Sequence, residues 1–377
     1  MRCIRFAFTV ACAVALGSGA LAPPAAAEPE LSARLDRAIA DKVADMGVPG
    51  AIVAVSVSGL IDYQTAVGVA DTATGAPQSV DDHTRIGSVT KTFTGTAVLQ
   101  LVDQGRIRLS DPISRYVDGV PGGDTITLDM LGRMRSGLPD YSEDDAFAAE
   151  LFAQAPTGPD AFAQTPQHLL DIAFSQPSNF APDSDYQYSN TNTVLLALVV
   201  EKVSGLPFAE YLRQNIFAPV GLSGTSYPAN GALPDPHTHG YLELPDGPVV
   251  DATYWNPSWG DAAGRIVSTT ADLKTWAKTL GTGALLSPQS QALRLANPSA
   301  AAPGAGYSFA IFDTHGWIGH NGDIPGYTTV LVYLPERDAT LAVSVNSDVP
   351  KDHAAGQIAK AVTAIVTPEH VYDLANA

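Results

Sequence analysis

Apolar positions along this chain repeat with two different periods, and the changes of period divide it into segments. Leu35, Ile39 and Val43 follow a helical spacing and predict a helix over 31–46. Two β-branched or alternating runs, 51–57 and 61–69, predict a hairpin. Helical periodicity returns in the middle of the chain, at 88–104, 128–134, 166–174, 191–203, 208–217 and 271–280. Strand patterns follow at 307–313, 317–320, 328–334 and 339–345, before a last helix over 353–366.

Predicted strands at both ends of the chain enclose this helical middle. The simplest assembly is one antiparallel sheet made from the first and last segments, with helices on its faces and an all-helical lobe beside it. We therefore expect an α+β fold with a sheet lobe of about 31–90 and 281–377 and a helical lobe of about 91–280. A cleft between two such lobes is the default place for a functional site.

The first 27 residues have the layout of a secretory signal peptide. Arg2 and Arg5 give a positive start, an apolar stretch runs to about Leu21, and small residues at 25–27 form a cleavage site. We expect export, removal of residues 1–27 and a mature domain over 28–377. A lipoprotein anchored at Cys12 fits the sequence less well, and no later segment is apolar for the length of a membrane span.

Composition narrows the chemistry of the mature domain. Both cysteines, Cys3 and Cys12, lie in the predicted signal peptide, so disulfides and a cysteine nucleophile are not expected. The net charge of −18 argues against nucleic acids and anionic membrane surfaces as partners. The eight histidines are scattered, and the nearest pair, His237 and His239, suits a polar turn better than a metal site. We therefore predict no metal and no cofactor.

Ser88 and Lys91 form the first motif that could carry out catalysis, because they lie three residues apart at the start of a predicted apolar helix. This spacing places both side chains on one face, where a neutral lysine amine could take the proton of the serine hydroxyl. Burial and the positive end of the helix both favour that neutral form. A serine and lysine three residues apart are common, and a capping serine beside a surface lysine is the alternative interpretation.

Two further motifs add polar groups to this pair. Tyr188 could relay a proton between nucleophile and leaving group, and Asn190 could bind a substrate carbonyl. His320 and Gly322 end a strand-like segment, where a glycine lets a substrate backbone approach closely. Each motif alone has an ordinary alternative, since Asn190 could be a helix N-cap and His320 a turn residue.

The three motifs together, in this order, resemble the Ser-x-x-Lys, Tyr-x-Asn and Lys/His-x-Gly signature of penicillin-recognising serine enzymes. The second motif is similar to that of class C β-lactamases and secreted D-alanyl-D-alanine carboxypeptidases, and histidine in the third favours the carboxypeptidases. Further similarity to the carboxypeptidase family covers essentially the whole mature chain, at 86–93, 99–105, 136–138, 188–192, 237–241 and 263–264.

The resemblance implies a role for each matching residue. Ser88 would be acylated, Lys91 would activate it, Tyr188 would relay protons, and His320 would complete the polar network behind Tyr188. Asn190 would hold the amide on the acyl side of the substrate. The oxyanion hole would consist of the backbone N–H groups of Ser88 and of Asp323, the residue after Gly322. Trp259 matches an aromatic wall of the family's pocket, with a buried structural tryptophan as the alternative.

Asp323 departs from the family pattern. Family carboxypeptidases hold the substrate's terminal carboxylate with a hydroxyl just after the third motif and an arginine shortly upstream. This chain has Asp323 at that place and no Arg or Lys between Tyr307 and His320, so Arg265 is the nearest arginine upstream. A carboxylate there repels a terminal carboxylate by about 4 kcal/mol at 4 Å and an effective dielectric of 20.

The resemblance predicts an exported serine hydrolase that works through an acyl-enzyme, with D-alanyl-D-alanine carboxypeptidase as the first choice. Asp323 favours a D-amino-acid amidase or an esterase on the same machinery, whereas His320 disfavours β-lactamase activity. Small peptides, amides or esters would be substrates, and β-lactams would act as acylating inhibitors. A catalytically silent protein that binds peptides or muropeptides is the non-enzymatic alternative. The presence together of Ser88, Lys91, Tyr188 and His320 argues against it.

Overall fold

The structure is a computed structural model that describes residues 27–153, 158–245, 247–349 and 352–374. The predicted signal peptide falls in residues 1–26 apart from its last residue, and so lies outside the described residues. The described helices are α1 Ala27–Met46, α2 Thr90–Asp103, α3 Leu128–Gly132, α4 Asp145–Ala153, α5 Pro166–Phe174, α6 Asn190–Ser204, α7 Phe208–Leu212, α8 Ala218–Val220, α9 Asp261–Gly264, α10 Thr270–Thr282, α11 Pro288–Leu295 and α12 Ala354–Val366. The described strands are β1 Gly50–Val57, β2 Ile61–Asp71, β3 Ala76–Pro77, β4 Thr84–Arg85, β5 Tyr241–Glu243, β6 Val249–Asp251, β7 Val267–Ser268, β8 Ser299–Ala302, β9 Ala305–Tyr307, β10 Phe312–Thr314, β11 Trp317–Ile324, β12 Tyr327–Leu334 and β13 Ala339–Val345.

Nine strands from the two ends of the chain form one antiparallel sheet. Their order is β3-β2-β1-β13-β12-β11-β10-β9-β8, so β1 from the beginning of the chain pairs with β13 from its end. In that register Ala51 lies opposite Val345, and Val57 opposite Ala339. The expected α+β fold, with its antiparallel sheet, flanking helices and helical lobe, is confirmed.

Helices cover both faces of the sheet. On one face α1 and α12 pack together, with Leu35 and Ile39 of α1 and Ile358 of α12 fully buried in the same hydrophobic cluster. On the other face lies α10, which contacts β12, β13 and β1 within the stretch that the sequence assigns to the helical lobe. Its Trp276 stacks on Phe93 of α2, with ring centroids 4.1 Å apart. This stacked pair joins the sheet to the helical lobe.

The helical lobe packs around α2 and α6. Both helices are buried on nearly all sides, so they are surrounded by protein. Within the described residues, no single helix is both long and apolar enough to cross a membrane; one pair bent by 77°, Asn190–Ser204 with Phe208–Val220, meets the length and composition criteria together.

The prediction of one strand over 307–313 was wrong. The chain instead forms β9, a turn, and β10, which pair with each other as Tyr307 opposite Phe312. Ala310 in the turn has a φ of 58°, and Phe309 is fully buried against Gly132 of the helical lobe. Burial of the Phe309 side chain therefore interrupts the continuous strand that the alternating pattern of residues 307–313 predicted.

Candidate active site

Ser88 lies where the chain passes from the sheet into the central helix. It is the middle residue of a 3-10 turn, Gly87–Val89, which leads directly into α2. The turn packs on β11, where a Cβ on Gly322 would come within 2.1 Å of the Ile86 carbonyl oxygen and 3.2 Å of the Ser88 nitrogen. Gly87 is equally constrained, because it has a φ of 50° and faces the backbone of Asp323. The glycines thus bring the third motif against Ser88.

Lys91 is fully buried and places its amine beside Ser88. Its Nζ lies 2.8 Å from Ser88 Oγ, 2.6 Å from Asn190 Oδ1 and 3.0 Å from the Ala263 carbonyl oxygen. A neutral amine has two hydrogens and one lone pair. The amide and carbonyl oxygens can only accept, so they take the two hydrogens and leave the lone pair for the Ser88 hydroxyl proton.

Burial makes that neutral form accessible. It lowers the pKa of Lys91 from 10.5 to about 7, while the Asp140 carboxylate acts in the opposite direction. Close to neutral pH, about half of the Lys91 side chains would be able to accept a proton. The arrangement can therefore remove the proton of Ser88 in the physiological pH range.

Asp140 and Ser142 fix the orientation of Asn190, and neither residue was predicted from the sequence. Ser142 Oγ donates to Asp140 Oδ1 at 2.8 Å and accepts from Asn190 Nδ2 at 3.0 Å. The backbone N–H of Asn190 donates to the other Asp140 oxygen at 2.8 Å. These bonds turn the amide oxygen of Asn190 towards Lys91. Asp140 also caps the 3-10 turn Tyr141–Glu143, and that capping role is the only signal visible in the sequence.

Tyr188 lies on the other side of the Ser88 and Lys91 pair. Lys91 Nζ is 4.7 Å from the centre of its ring. Burial raises the pKa of Tyr188 well above 10, although the nearby Ser88 hydroxyl lowers it in part. The phenol therefore keeps its proton at neutral pH, which suits a group that donates and regains a proton.

His320 stands behind Tyr188 on β11, with 6.1 Å between the two ring centroids. Its Nδ1 donates to the Asn321 carbonyl oxygen at 2.6 Å, and its Nε2 faces the Tyr307 hydroxyl at 3.4 Å. Burial, assisted by the charge of Lys91, lowers the pKa of His320 to about 3. His320 is therefore neutral at physiological pH. Its polar neighbour Tyr307 was not predicted from the sequence.

Two further predicted residues, Trp259 and Arg265, contact other parts of the chain. Trp259 is half-buried against the core of the helical lobe, and its carbonyl oxygen accepts a hydrogen bond from Tyr141 at 2.7 Å. Arg265 binds the carbonyl oxygens of Pro228 and Ala229 and lies over the ring of Tyr227. Its guanidinium is therefore committed to other partners and does not take the place of the missing upstream arginine.

The described part of the chain holds no group of three or more His, Cys, Asp or Glu side chains that could bind a metal ion. His237 and His239 stack on each other, as a polar turn allows, and His239 pairs with Asp251 at 2.7 Å.

Comparison with known proteins places this geometry in a family. The model of the Beta-lactamase family matches residues 35–365. Penicillin-binding protein 4* of Bacillus subtilis is 27% identical over 311 residues, which are 76% of this chain and 66% of that protein. The match thus spans slightly less than two thirds of the length of this relative.

Two solved structures are similar over nearly all of their length. The D-stereospecific amidohydrolase from Streptomyces sp. is 30% identical, with a TM-score of 0.79 and coverage of 89% of this chain and 99% of that one. The D-amino acid amidase from Ochrobactrum anthropi SV3, solved with D-phenylalanine, is 25% identical, with a TM-score of 0.79 and coverage of 90% and 99%. The chain therefore belongs to the Beta-lactamase family.

Proposed function

We propose that this protein is an exported amidohydrolase that acts through an acyl-enzyme on D-amino-acid amides and related substrates without a free terminal carboxylate. The observation that carries the proposal is the carboxylate of Asp323, which follows directly on the Gly322 contact with Ser88. Arg265 is occupied elsewhere. The similarity to the Streptomyces D-stereospecific amidohydrolase and the Ochrobactrum D-amino acid amidase supports D-amino-acid derivatives as the substrate class.

The reaction begins with proton transfer from Ser88 to Lys91. Ser88 Oγ attacks the substrate carbonyl carbon while Lys91 Nζ, 2.8 Å away, takes the hydroxyl proton. The carbonyl oxygen gains negative charge and is held by the backbone N–H groups of Ser88 and Asp323. These groups lie close together because Gly87 packs against the backbone of Asp323, and Gly322 against that of Ser88.

Collapse of this intermediate releases the leaving amine. Tyr188 gives its proton to the departing nitrogen and regains one from Lys91, so no net charge accumulates on the buried phenol. The acyl group remains as an ester on Ser88 Oγ. Water then attacks the ester and Lys91 accepts the proton of that water. As the ester C–O bond breaks, Lys91 returns this proton to Ser88 Oγ, 2.8 Å away, and the free acid leaves.

D-alanyl-D-alanine carboxypeptidase activity is the second candidate. The similarity to penicillin-binding protein 4* and the histidine in the third motif favour it. Such a substrate would bring its terminal carboxylate near Asp323, and the two negative charges would repel each other. We therefore favour the amidase reaction over the carboxypeptidase reaction.

Hydrolysis of paired substrates tests the proposal. The mature protein is assayed with D- and L-phenylalanine amide, a simple D-alanine ester, a penicillin, and acetyl-Lys-D-Ala-D-Ala. Ser88→Ala serves as the inactive variant and Ser184→Ala, at an exposed serine, as the matched control. We expect Ser88-dependent hydrolysis of the D-amide and slower release of D-alanine. If D-alanine is released from the peptide faster than the D-amide is hydrolysed, the carboxypeptidase function is favoured over the amidase function. Equal rates on D- and L-amides would contradict the proposed stereochemistry.

A further inference from the structure

The short helix α9 supplies two acceptors to α2, the helix that carries the reacting lysine. The Ala262 carbonyl oxygen accepts from Thr94 Oγ1 at 2.8 Å, and the Ala263 carbonyl oxygen accepts from Lys91 Nζ at 3.0 Å. All four residues are buried. Because peptide groups are planar, the direction of a backbone carbonyl follows from the direction of its helix. The orientation of α9 therefore determines whether Lys91 has this acceptor.

Asp261, the first residue of α9, has a backbone conformation that is unusual for a residue other than glycine. Its φ is 38°, in the left-handed region, where aspartate and asparagine are enriched among the other residues. Asp261 is 7% exposed and lies two residues before Ala263. A residue stays in this region only when surrounding contacts hold it there. The contacts of Asp261 therefore contribute to the direction of the Ala263 carbonyl.

A tyrosine from a preceding loop provides such a contact. The Tyr227 hydroxyl donates to Asp261 Oδ1 at 2.6 Å. Arg265, which follows α9 directly, lies over the Tyr227 ring with its guanidinium carbon 5.1 Å from the ring centre. Arg265 also binds the carbonyl oxygens of Pro228 and Ala229. The segment that begins at Tyr227 thus holds α9 at both of its ends.

Three other titratable groups lie near the Asp261 carboxyl group. Burial raises the pKa of Asp261, while the Tyr227 hydroxyl and the charge of Arg265 lower it in part. Burial also raises the pKa of Tyr141, with smaller contributions from neighbouring carboxylates that include Asp261. Glu201 lines a cavity of about 200 Å³ together with Asp261 and Tyr227. The guanidinium of Arg265 is bound to backbone carbonyls, so the Tyr227 hydroxyl is the side-chain group that binds the Asp261 carboxylate directly.

Loss of the Ala263 acceptor would change both the charge and the aim of Lys91. A hydrogen bond from a charged donor is stronger than one from a neutral donor, so the Ala263 carbonyl favours the protonated amine and its loss lowers the pKa of Lys91. The same carbonyl and Asn190 Oδ1 take the two hydrogens of the neutral amine, which leaves the lone pair for Ser88. A displaced carbonyl therefore also slows proton transfer from Ser88.

We propose that Asp261 and Tyr227 are a positioning pair for the reaction, because their hydrogen bond holds α9 where the Ala263 carbonyl accepts from Lys91. Both residues act through that carbonyl. Asp140 supplies the charge that acts on Lys91, so Asp261 works through position rather than through its own charge. The inference rests on the proposed acyl-enzyme reaction and adds two residues that this reaction requires.

NMR titration of the Lys91 13Cε resonance follows the protonation of this amine without any substrate. For the wild type we expect a midpoint near 7. Tyr227→Phe removes the hydrogen bond but keeps the carboxylate, and Asp261→Ala removes the acceptor. Each should lower the midpoint by at least about 0.5 pH units. Asp261→Asn keeps an acceptor for Tyr227 and suits the left-handed region, so its midpoint should stay within about 0.2 pH units of the wild type.

Kinetics with D-phenylalanine amide give a second readout. We expect kcat to fall about tenfold in Tyr227→Phe and in Asp261→Ala, and KM to change by less than about twofold, because neither side chain binds the substrate. Asp261→Asn should retain most of the wild-type kcat. The two substitutions break the same hydrogen bond, so the double variant should lose no more activity than the more impaired single variant.

The matched control is Tyr116→Phe, since Tyr116 donates a hydrogen bond of the same length, 2.6 Å, to Asp111 elsewhere in the helical lobe. It should change neither the Lys91 midpoint nor kcat. An unchanged midpoint in Tyr227→Phe would overturn the proposal, even if the melting temperature falls. So would a decrease in Asp261→Asn as large as that in Asp261→Ala, because it would assign the effect to the charge of the carboxylate.

The two readouts separate this inference from the amidase function. If the wild type does not hydrolyse D-phenylalanine amide in a Ser88-dependent manner, the amidase proposal fails. The Lys91 midpoints still decide the role of Asp261 and Tyr227, and the ratios of kcat are then measured with an aryl ester of D-alanine.

Discussion

Replacing Asn190 with aspartate places a negative charge directly beside the proposed base. The Oδ1 atom of Asn190 lies 2.6 Å from Lys91 Nζ, and a unit charge at that distance contributes about 6 kcal/mol at an effective dielectric of 20. Desolvation of the new carboxylate and repulsion from Asp140, which already binds the Asn190 backbone, oppose this. If one third of the interaction energy remains, which is about 2 kcal/mol, the pKa of Lys91 rises by about 1.5 units.

The pH dependence of acylation measures this shift. In the wild type, the neutral amine of Lys91 is the active form, so kcat/KM should rise with pH through a midpoint near the pKa of about 7. In Asn190→Asp the midpoint should move to about 8.5. The neutral fraction at pH 7 then falls from about one half to about 3%, so the rate falls roughly 15-fold and recovers above pH 9.

Asn190→Ala is the control for loss of the amide. It removes an acceptor from Lys91 without adding charge, so the activity falls but the midpoint stays at or below 7. A midpoint in Asn190→Asp that does not differ from that of Asn190→Ala would refute the assignment of Lys91 as the titrating base.

Three further substitutions test other parts of the site. Ser142→Ala removes the acceptor that orients Asn190, and we expect about a tenfold loss of kcat/KM with an unchanged melting temperature. Gly322→Ala places a Cβ 2.1 Å from the Ile86 carbonyl oxygen, so unfolding experiments should show destabilisation by about 1–3 kcal/mol, and assays more than a 100-fold loss of activity. Tyr188→Phe should slow amide hydrolysis by about 100-fold or more, and aryl esters much less, because their leaving groups need no proton. Equal losses on both substrates would contradict the relay.

Much of the site could be predicted from the spacing of residues along the sequence. Ser88 and Lys91 lie three residues apart at the start of a helix, and their contact follows from helix geometry. The antiparallel sheet could also be predicted from local patterns, because β-branched and alternating runs mark its central strands at both ends of the chain.

Contacts that depend on tertiary packing could not be predicted in the same way. The Ala263 carbonyl reaches Lys91 from 172 residues away, and a backbone group has no sequence signature. Asp140 looks like an ordinary capping residue until the fold brings it to Asn190. The break between β9 and β10 also has no glycine or proline to mark it, since burial of Phe309 determines that turn.

The central claim is that Ser88 forms a covalent acyl intermediate, and intact-protein mass spectrometry tests it most directly. The mature protein is mixed with a penicillin or an aryl ester of D-alanine, quenched within milliseconds to minutes, and digested to locate the adduct. The account predicts one acyl group on the peptide that contains Ser88, its absence from Ser88→Ala, and slower formation below pH 7, where Lys91 is protonated. An adduct on a different residue, or hydrolysis that persists in Ser88→Ala, would contradict it.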